Sequence, residues 1–299
     1  MPKINLTAIS YYLALPFIFF ISILPFWLLY LISDYLLYPV LYVLLGYRKK
    51  VVRENLLNAF PEKDLSDIIK IEKGFYHHLC DLFLETFKSL TISGKELEKR
   101  FIYKVDEQKL NNWYADNRSF VMTLGHYGNY EWLAQTLGSQ FKHLGTAPYH
   151  KLSNSYFDKM FYNLRTRFGT VMYTTTDTYK KIAQGFDRPF TVALGNDQSA
   201  PPLKSYWTTF LNQDTSFFFG TEMIAVKFDM PVVFVFISQV KRGYYKVTFE
   251  LITDKPKMEE KNSILERHAN LLEKQIKEQP EFWLWSHRRW KHKKPEHIK

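Results

Sequence analysis

The chain has 299 residues, of which 46% are apolar and 17% aromatic. That apolar content excludes a chain that is disordered throughout, and the length suits one α/β domain with an appendage. Forty basic residues against 30 acidic ones give a net charge of +10, which suits nucleic acid, anionic lipid or an acidic carrier protein as a partner. The single cysteine, Cys80, excludes an internal disulfide and a multi-cysteine zinc site.

The first fifty residues contain a long uncharged stretch. Residues 4–33 carry no charge and are rich in Leu, Ile and Phe, and about 20 such residues span a bilayer as a helix. We place the span near residues 13–32, with a kink at Pro16 or Pro25. The following apolar run, residues 36–47, is too short to cross and is predicted to be interfacial.

The charges that flank this stretch predict its orientation. Four basic residues lie between positions 48 and 53, whereas only Lys3 precedes the apolar run. The positive-inside rule therefore places the large domain in the cytoplasm. A buried core helix and a cleaved signal peptide are the alternatives, although the run is long for a signal peptide and no small-residue cleavage site follows it.

Beyond residue 50, helical and strand-like patterns alternate. Helical apolar spacing predicts helices over residues 66–90, 106–115, 129–137, 153–168, 216–228 and 258–278. Short apolar runs predict strands over residues 120–124, 171–173, 190–194, 231–238 and 244–252. This alternation predicts an α/β fold, with a mostly parallel sheet flanked by helices.

The strongest chemical signal is the sequence LGHYGNYE. His126 follows a predicted buried strand and precedes a predicted helix, the position where ligands and catalytic groups collect in α/β proteins. Gly125 and Gly128 permit a tight turn, and Asn129 can cap the helix. Glu131, in the first helical turn, would then reach the imidazole.

A carboxylate that holds one imidazole nitrogen fixes the tautomer and leaves the other nitrogen free to accept a proton. No serine nucleophile stands beside this pair, so the attacking group would be a hydroxyl of the substrate, deprotonated by His126. General-base help of this kind accelerates a reaction by about 10²- to 10⁴-fold. The alternative is a histidine at a helix start that pairs with an acid for structural reasons only.

Another set of polar residues falls on one helix face at four-residue spacing: His77, Asp81 and Glu85. Such spacing could bind a metal ion. We instead interpret these residues as the polar flank of an amphipathic helix, because apolar residues occupy its other face.

The C-terminal segment HRRWKHKK is strongly basic and contains Arg288 and Arg289. Beside a membrane anchor, we interpret it as a contact with lipid phosphates. A solvated tail and nucleic-acid binding are the alternatives.

Five motifs together resemble those of the late lipid A acyltransferases. This family belongs to the lysophospholipid and glycerol-phosphate acyltransferase superfamily, whose members carry H-x-x-x-x-D/E. The central stretch GHYGNYE is similar to the family signature H-G/Y-G-N-W/Y-E. The other four are RENLLNAFPE at residues 53–62, Arg165 with Phe168 and Gly169, the pair Asp197 and Gln198, and PEFWLWSHRRW at residues 280–290. The resemblance extends from the N-terminal apolar segment to Trp290.

The resemblance implies a glycerol-phosphate-acyltransferase-like fold and an enzyme of the bacterial inner membrane. Residues 1–47 would form a single-pass anchor with an interfacial segment, and residues 48–299 a cytoplasmic catalytic domain. The enzyme would move a fatty acyl chain from an acyl carrier protein thioester, or a coenzyme A thioester, to a hydroxyl of a lipid A precursor. Its partners would be that carrier, the lipid and the membrane, without nucleic acid, metal or redox cofactor.

For the site, the resemblance implies that His126 is the base and Glu131 its orienting partner. Arg165 and Asp197 match family positions beside this pair. We expect backbone amides of residues 125–129, including Gly128 and Asn129, or the cation of Arg165, to stabilise the oxyanion. Arg288 and Arg289 would contact the lipid substrate.

Two alternatives to lipid A acylation stay open at this stage. The same chemistry could act on another bacterial lipid, such as an amino-lipid or a lysophospholipid. The chain could also be a non-catalytic membrane protein that binds anionic lipid through its basic surface.

Overall fold

The computed structural model describes residues 6–296. Nine strands occur in this part of the chain: β1 (Phe101–Tyr103), β2 (Phe120–Leu124), β3 (Leu144–Tyr149), β4 (Val171–Thr174), β5 (Phe190–Gly195), β6 (Ser205–Phe210), β7 (Gln213–Phe218), β8 (Val232–Lys241) and β9 (Tyr244–Thr253). Seven of them form one sheet in the order β1-β9-β8-β2-β5-β3-β4, and β6 and β7 form a separate hairpin. Only β8 and β9 pair antiparallel within the large sheet. The predicted α/β class with a mostly parallel sheet is confirmed.

Helices flank the sheet. They are α1 (Leu6–Ile23), α2 (Phe26–Ile32), α3 (Lys49–Ala59), α4 (Leu65–Lys88), α5 (Gly94–Arg100), α6 (Glu107–Ala115), α7 (Tyr130–Gln140), α8 (Ser155–Thr166), α9 (Thr178–Gln184), α10 (Gly220–Phe228) and α11 (Ser263–Glu278). Helix α2 continues through two π-helical segments, Ser33–Leu37 and Pro39–Leu44. We call the continuous segment Phe26–Leu44 the second N-terminal helix.

The sheet is buried on both faces, as parallel sheets usually are. Every residue of β2 is buried. Because side chains alternate along a strand, Phe120 and Met122 of β2 pack in one apolar cluster, and Val121 packs in a second cluster on the opposite face. The central strands are therefore held rigidly, and polar residues at their ends have defined positions.

Two of the differences between the predicted elements and the structure show how strand pairing overrides a local pattern. The helix predicted over residues 216–228 begins only at Gly220, because residues 213–218 pair with β6 as β7. Strand β3, which the pattern did not predict, has the sequence LGTAPY. Gly145 and Pro148 lower its strand propensity, and only its place between β4 and β5 makes it a strand.

The N-terminal apolar segment forms two helices, so the single span predicted near residues 13–32 is wrong in its position. The break falls at Leu24 and Pro25, because proline lacks an amide N–H and disfavours helix in the residue before it. Pro16, by contrast, lies within α1. The helix long and apolar enough to cross a bilayer is Phe26–Leu44, and residues 36–44 belong to it rather than to a separate interfacial segment.

Candidate active site

His126 and Asp197 lie at equivalent positions after two neighbouring strands. Strand β2 pairs in parallel with β5, with Leu124 opposite Gly195, and each polar residue stands two positions further on. The backbone N–H of His126 donates to Asp197 Oδ2 over 2.6 Å, and His126 Nδ1 lies 2.5 Å from Asp197 Oδ1. A proton on Nδ1 therefore faces the carboxylate, which leaves Nε2 as the nitrogen available to a substrate.

Three N–H groups hold the buried Asp197 carboxylate, the third being the indole N–H of Trp283 at 2.8 Å. Burial alone would raise the pKa of Asp197. The charge of His126 and these hydrogen bonds outweigh burial and hold that pKa well below its usual range. Burial is the largest single effect on the pKa of His126 and lowers it, but the charge and the hydrogen bond of Asp197, together with the charge of Glu131, outweigh burial and raise that pKa above the usual 6.5. The pair is thus built to stabilise an imidazolium.

Glu131 does not hydrogen-bond to His126. Its carboxylate accepts two hydrogen bonds from Arg165, Nε to Oε2 at 2.9 Å and Nη2 to Oε1 at 2.7 Å. The prediction that Glu131 orients the imidazole is therefore corrected, since Asp197 occupies Nδ1. Glu131 projects from the first turn of α7 toward α8, whereas the preceding loop carries His126 over the end of β5. The charge of Glu131 still contributes to the raised pKa of His126.

The amides of residues 126–128, which we expected to face an oxyanion, already have acceptors. The N–H groups of His126, Tyr127 and Gly128 donate to Asp197 Oδ2, Gly125 O and Phe282 O. Gly128 adopts a φ of +57°, and a Cβ atom there would lie 2.9 Å from Ile237 Cγ2. Gly128 is needed for the turn itself rather than for a substrate.

Asn129 is buried and is occupied within the protein. Its Oδ1 accepts from the backbone N–H of Trp132 at 2.9 Å, the capping role predicted for it. Its Nδ2 donates to Glu85 Oε2 at 2.7 Å. A substrate-binding role for Asn129 is therefore corrected to a positioning role at the start of α7.

The C-terminal segment after α11 covers the loop between β2 and α7, residues 125–129, which we call the histidine loop. Tyr127 and Trp283 form a β-bridge, and the N–H of Leu284 donates to His126 O at 3.1 Å. Asn55, in the motif at residues 53–62, donates to Trp285 O at 2.9 Å. Motifs from both ends of the chain thus meet at this loop.

The two arginines expected to meet lipid have different surroundings. Arg289 is 2% exposed, donates to Ser216 O at 2.6 Å and lies over the Phe217 ring. That burial keeps Arg289 away from a lipid headgroup, which corrects the expectation for this residue. Arg288 is exposed.

Two cavities share lining residues near the site, and His126 lines the larger of them. A cavity of about 740 Å³ is lined by His126 and Gln198, with apolar walls from α7, β3, β4 and α10 that include Leu133, Ala147 and Met172. A second cavity of about 360 Å³ is lined by Leu79, Leu82, Phe83 and Phe87 of α4. Glu131 and Arg165 line both cavities, so the ion pair stands between them.

Residues 6–296 contain no cluster of three or more His, Cys, Asp or Glu side chains arranged to hold a metal ion. The helix-face residues Asp81 and Glu85, considered above as metal ligands, instead accept hydrogen bonds from Ser33 and Tyr30.

Trp283 and Gln198 are the site residues to which the sequence assigned no role. Gln198 Nε2 lies 3.4 Å from His126 Nε2. The contact between His126 and Asp197 had a signal in the sequence, because His126 follows one predicted buried strand by two residues and Asp197 follows another by three. The strand order of the sheet, however, decides which strands are neighbours, and the local pattern does not predict that order.

Comparison with known proteins gives one family match. A family model described as bacterial lipid A biosynthesis acyltransferase matches residues 2–292. Comparison with curated proteins finds no match. Because the family model covers nearly the whole chain, including every residue of the candidate site, the chain belongs to the bacterial lipid A biosynthesis acyltransferase family.

Proposed function

We propose that this protein transfers a fatty acyl chain from an acyl carrier protein thioester to a hydroxyl of a lipid A precursor, on the cytoplasmic side of the bacterial inner membrane. The observation that carries the proposal is the contact between His126 Nδ1 and the buried Asp197, beside a cavity with apolar walls. A base with a fixed tautomer next to an apolar cavity suits deprotonation of a lipid hydroxyl.

The proposed reaction needs no covalent acyl-enzyme. The acceptor hydroxyl attacks the thioester carbonyl while its proton passes to His126 Nε2, which forms a tetrahedral oxyanion. The C–S bond then breaks, the ester forms, and the leaving thiolate takes the proton back from His126. Asp197 stabilises the imidazolium in between, consistent with its low pKa.

Arg165 is the cation we propose for oxyanion stabilisation. The bidentate contact with Glu131 fixes its guanidinium at the wall shared by the two cavities. Glu131 thereby acts through Arg165, as a positioning residue. Gln198 is a neutral donor close to the same imidazole.

Two adjoining cavities fit a reaction with two lipid-bearing substrates. We propose that the acyl chain of the thioester enters the larger cavity, because apolar side chains from four elements line it. The smaller cavity, lined by apolar residues of α4, would then take part of the acceptor lipid. No metal or redox cofactor is needed for this chemistry.

The experiment that tests the proposal measures acyl transfer to a lipid A precursor, with acyl carrier protein thioesters as donors. We expect His126→Ala to reduce kcat by about 10²- to 10⁴-fold, since it removes the general base. His292→Ala, which changes a tail histidine outside both cavities, is the matched control. Full activity of His126→Ala, at an unchanged melting temperature, would contradict the proposal.

The acceptor is tested by mass spectrometry of lipids from cells with and without the protein. Loss of one acyl chain from lipid A supports the proposed acceptor. An unchanged lipid A together with a change in another lipid would instead show the same chemistry on a different acceptor.

A further inference from the structure

The second N-terminal helix packs against α4 through a polar face. Three of its hydroxyls donate to carboxylates of α4: Tyr30 to Glu85 at 2.8 Å, Ser33 to Asp81 at 2.6 Å and Tyr42 to Glu72 at 3.0 Å. As the residue number rises along the second N-terminal helix, the residue number of its partner on α4 falls. The two helices therefore run antiparallel, in contact along most of the segment Phe26–Leu44.

An ion pair lies in the middle of the same helix. Arg242, in the turn between β8 and β9, donates to both oxygens of Asp34 at 2.7 and 2.8 Å and to Asp81 at 2.6 and 2.7 Å. If the helix left the domain to cross a bilayer alone, Asp34 would enter hydrocarbon without its partner, which is costly. The observed pairing is therefore compatible with this helix only when it lies on the domain.

Helix α1 is also attached to the domain near both ends. At its start, Asn154 donates to Thr7 O at 3.0 Å, and Tyr11 stacks on Tyr156 with ring centroids 5.6 Å apart. At its end, Lys88 donates to Ser22 O at 2.8 Å. A bilayer crossing by α1 would carry parts of α4 and α8, with their charged residues, into the membrane.

The outward faces of both helices are apolar and exposed. The exposed fractions are 66% for Leu13, 72% for Phe17, 65% for Trp27, 80% for Tyr35 and 78% for Leu44. Soluble monomers rarely expose so many large apolar side chains on neighbouring helices. Two exposed basic residues, Arg48 and Lys50, follow directly after this surface.

We propose that α1 and the second N-terminal helix form a monotopic docking surface that inserts into one leaflet of an anionic bilayer. The apolar faces enter the leaflet, the aromatic residues sit at its interface, and the basic residues meet lipid phosphates. The N-terminus and the catalytic domain then lie on the same side of the membrane. This replaces the single crossing that hydropathy alone predicted.

The first test is topological. We fuse one epitope tag to the N-terminus and another to the C-terminus of the full chain, and treat inverted and right-side-out membrane vesicles with protease. The proposal predicts that both tags are digested in the same vesicle orientation. Digestion of the two tags in opposite orientations would show a crossing and overturn it.

The second test measures sedimentation with vesicles of phosphatidylethanolamine and phosphatidylglycerol. The double substitution Trp27→Glu and Leu31→Glu changes exposed residues of the docking surface, and we expect it to reduce vesicle binding by at least about tenfold, because apolar burial is lost. The control, Ile102→Glu with Leu251→Glu, changes two apolar residues of β1 and β9 that are each 41% exposed and should bind like wild type.

Unchanged vesicle binding of the double variant would overturn the proposal. If the same variant also lost a dimer that analytical ultracentrifugation detects in wild type, a second copy of the chain would be what covers these faces. Neither test measures acyl transfer, so the outcomes of both tests are independent of the proposed function.

Discussion

At the scale of single residues, three charged side chains lie around His126, and the two carboxylates among them have different roles. Asp197 holds the imidazole, and Glu131 holds Arg165. Both carboxylates raise the pKa of His126, but Asp197 does so through direct contact as well as through its charge. Replacing each carboxylate with a neutral amide should therefore change the pKa of His126 by different amounts.

The pH profile of kcat/KM distinguishes these roles. As the proposed base, His126 must be neutral, so we expect activity to fall as the pH drops through its pKa, which in wild type lies above 6.5. In Asp197→Asn the opposing charge is lost and burial lowers the pKa, so we expect the acid limb to move to lower pH. The plateau of kcat/KM should fall by about 10²- to 10⁴-fold, because the imidazole loses its fixed tautomer.

Glu131→Gln is the matched variant for this measurement. It removes a more distant charge and loosens Arg165, so we expect reduced activity with a smaller shift of the acid limb. If Glu131→Gln moved the limb as far as Asp197→Asn does, the assignment of Asp197 as the orienting carboxylate would be wrong.

At the scale of elements, the site depends on where β2 and β5 end and where α7 begins. The register of the two strands places His126 beside Asp197, and the Asn129 cap fixes the first turn of α7. The same Asn129 side chain reaches Glu85 of α4, a buried carboxylate whose pKa burial raises to about 7. One amide therefore links the histidine loop to α4, the helix against which the second N-terminal helix packs.

Asn129→Ala should destabilise the protein by more than the loss of an ordinary cap. The cap contributes about 1 kcal/mol, and the loss of a donor to a buried carboxylate costs about 1–3 kcal/mol. We expect the free energy of unfolding, measured with denaturant in detergent solution, to fall by about 2–4 kcal/mol. Asp64→Ala, which removes the exposed cap of α4 and leaves no buried carboxylate without a donor, should cost less than Asn129→Ala. Equal losses in the two variants would contradict a structural link through Glu85.

At the scale of the whole molecule, segments from the N-terminal and C-terminal parts of the described chain pack against its α/β core. The N-terminal helices lie along α4, and the C-terminal segment covers the histidine loop. Arg242 joins the docking surface to the sheet through Asp34 and Asp81. In the structure, the N-terminal helices are therefore attached to the rest of the chain by hydrogen bonds and ion pairs.

Arg242→Gln tests this integration. The substitution leaves two carboxylates without their cation, one of them buried. The pair is partly exposed, so the cost should lie between about 1 kcal/mol for a surface pair and about 3–5 kcal/mol for a buried one. We expect a lower melting temperature of the detergent-solubilised protein.

Arg118→Gln is the control, because it breaks a more exposed pair with Asp254 and should cost at most about 1 kcal/mol. A melting temperature of Arg242→Gln equal to that of wild type would show that the N-terminal helices are attached independently of this pair.

Much of the site could be predicted from local patterns. The buried run before His126, the glycines around it and the capping Asn129 are features of adjacent residues, and each lies where its pattern placed it. Strand β3 and the first residues of the predicted helix at 216–228 could not be predicted in this way, because strand pairing overrides their local preferences.

The sequence alone determined the α/β class, the family and the loop that carries the histidine, because periodicity, turns and motif spacing are written in neighbouring residues. The tertiary structure decided which carboxylate meets His126, because that contact depends on β2 lying next to β5. It also decided that the apolar N-terminal helices lie on the domain. Hydropathy counts apolar residues along one helix, whereas the partners of Asp34 and Tyr30 come from elements more than fifty residues away.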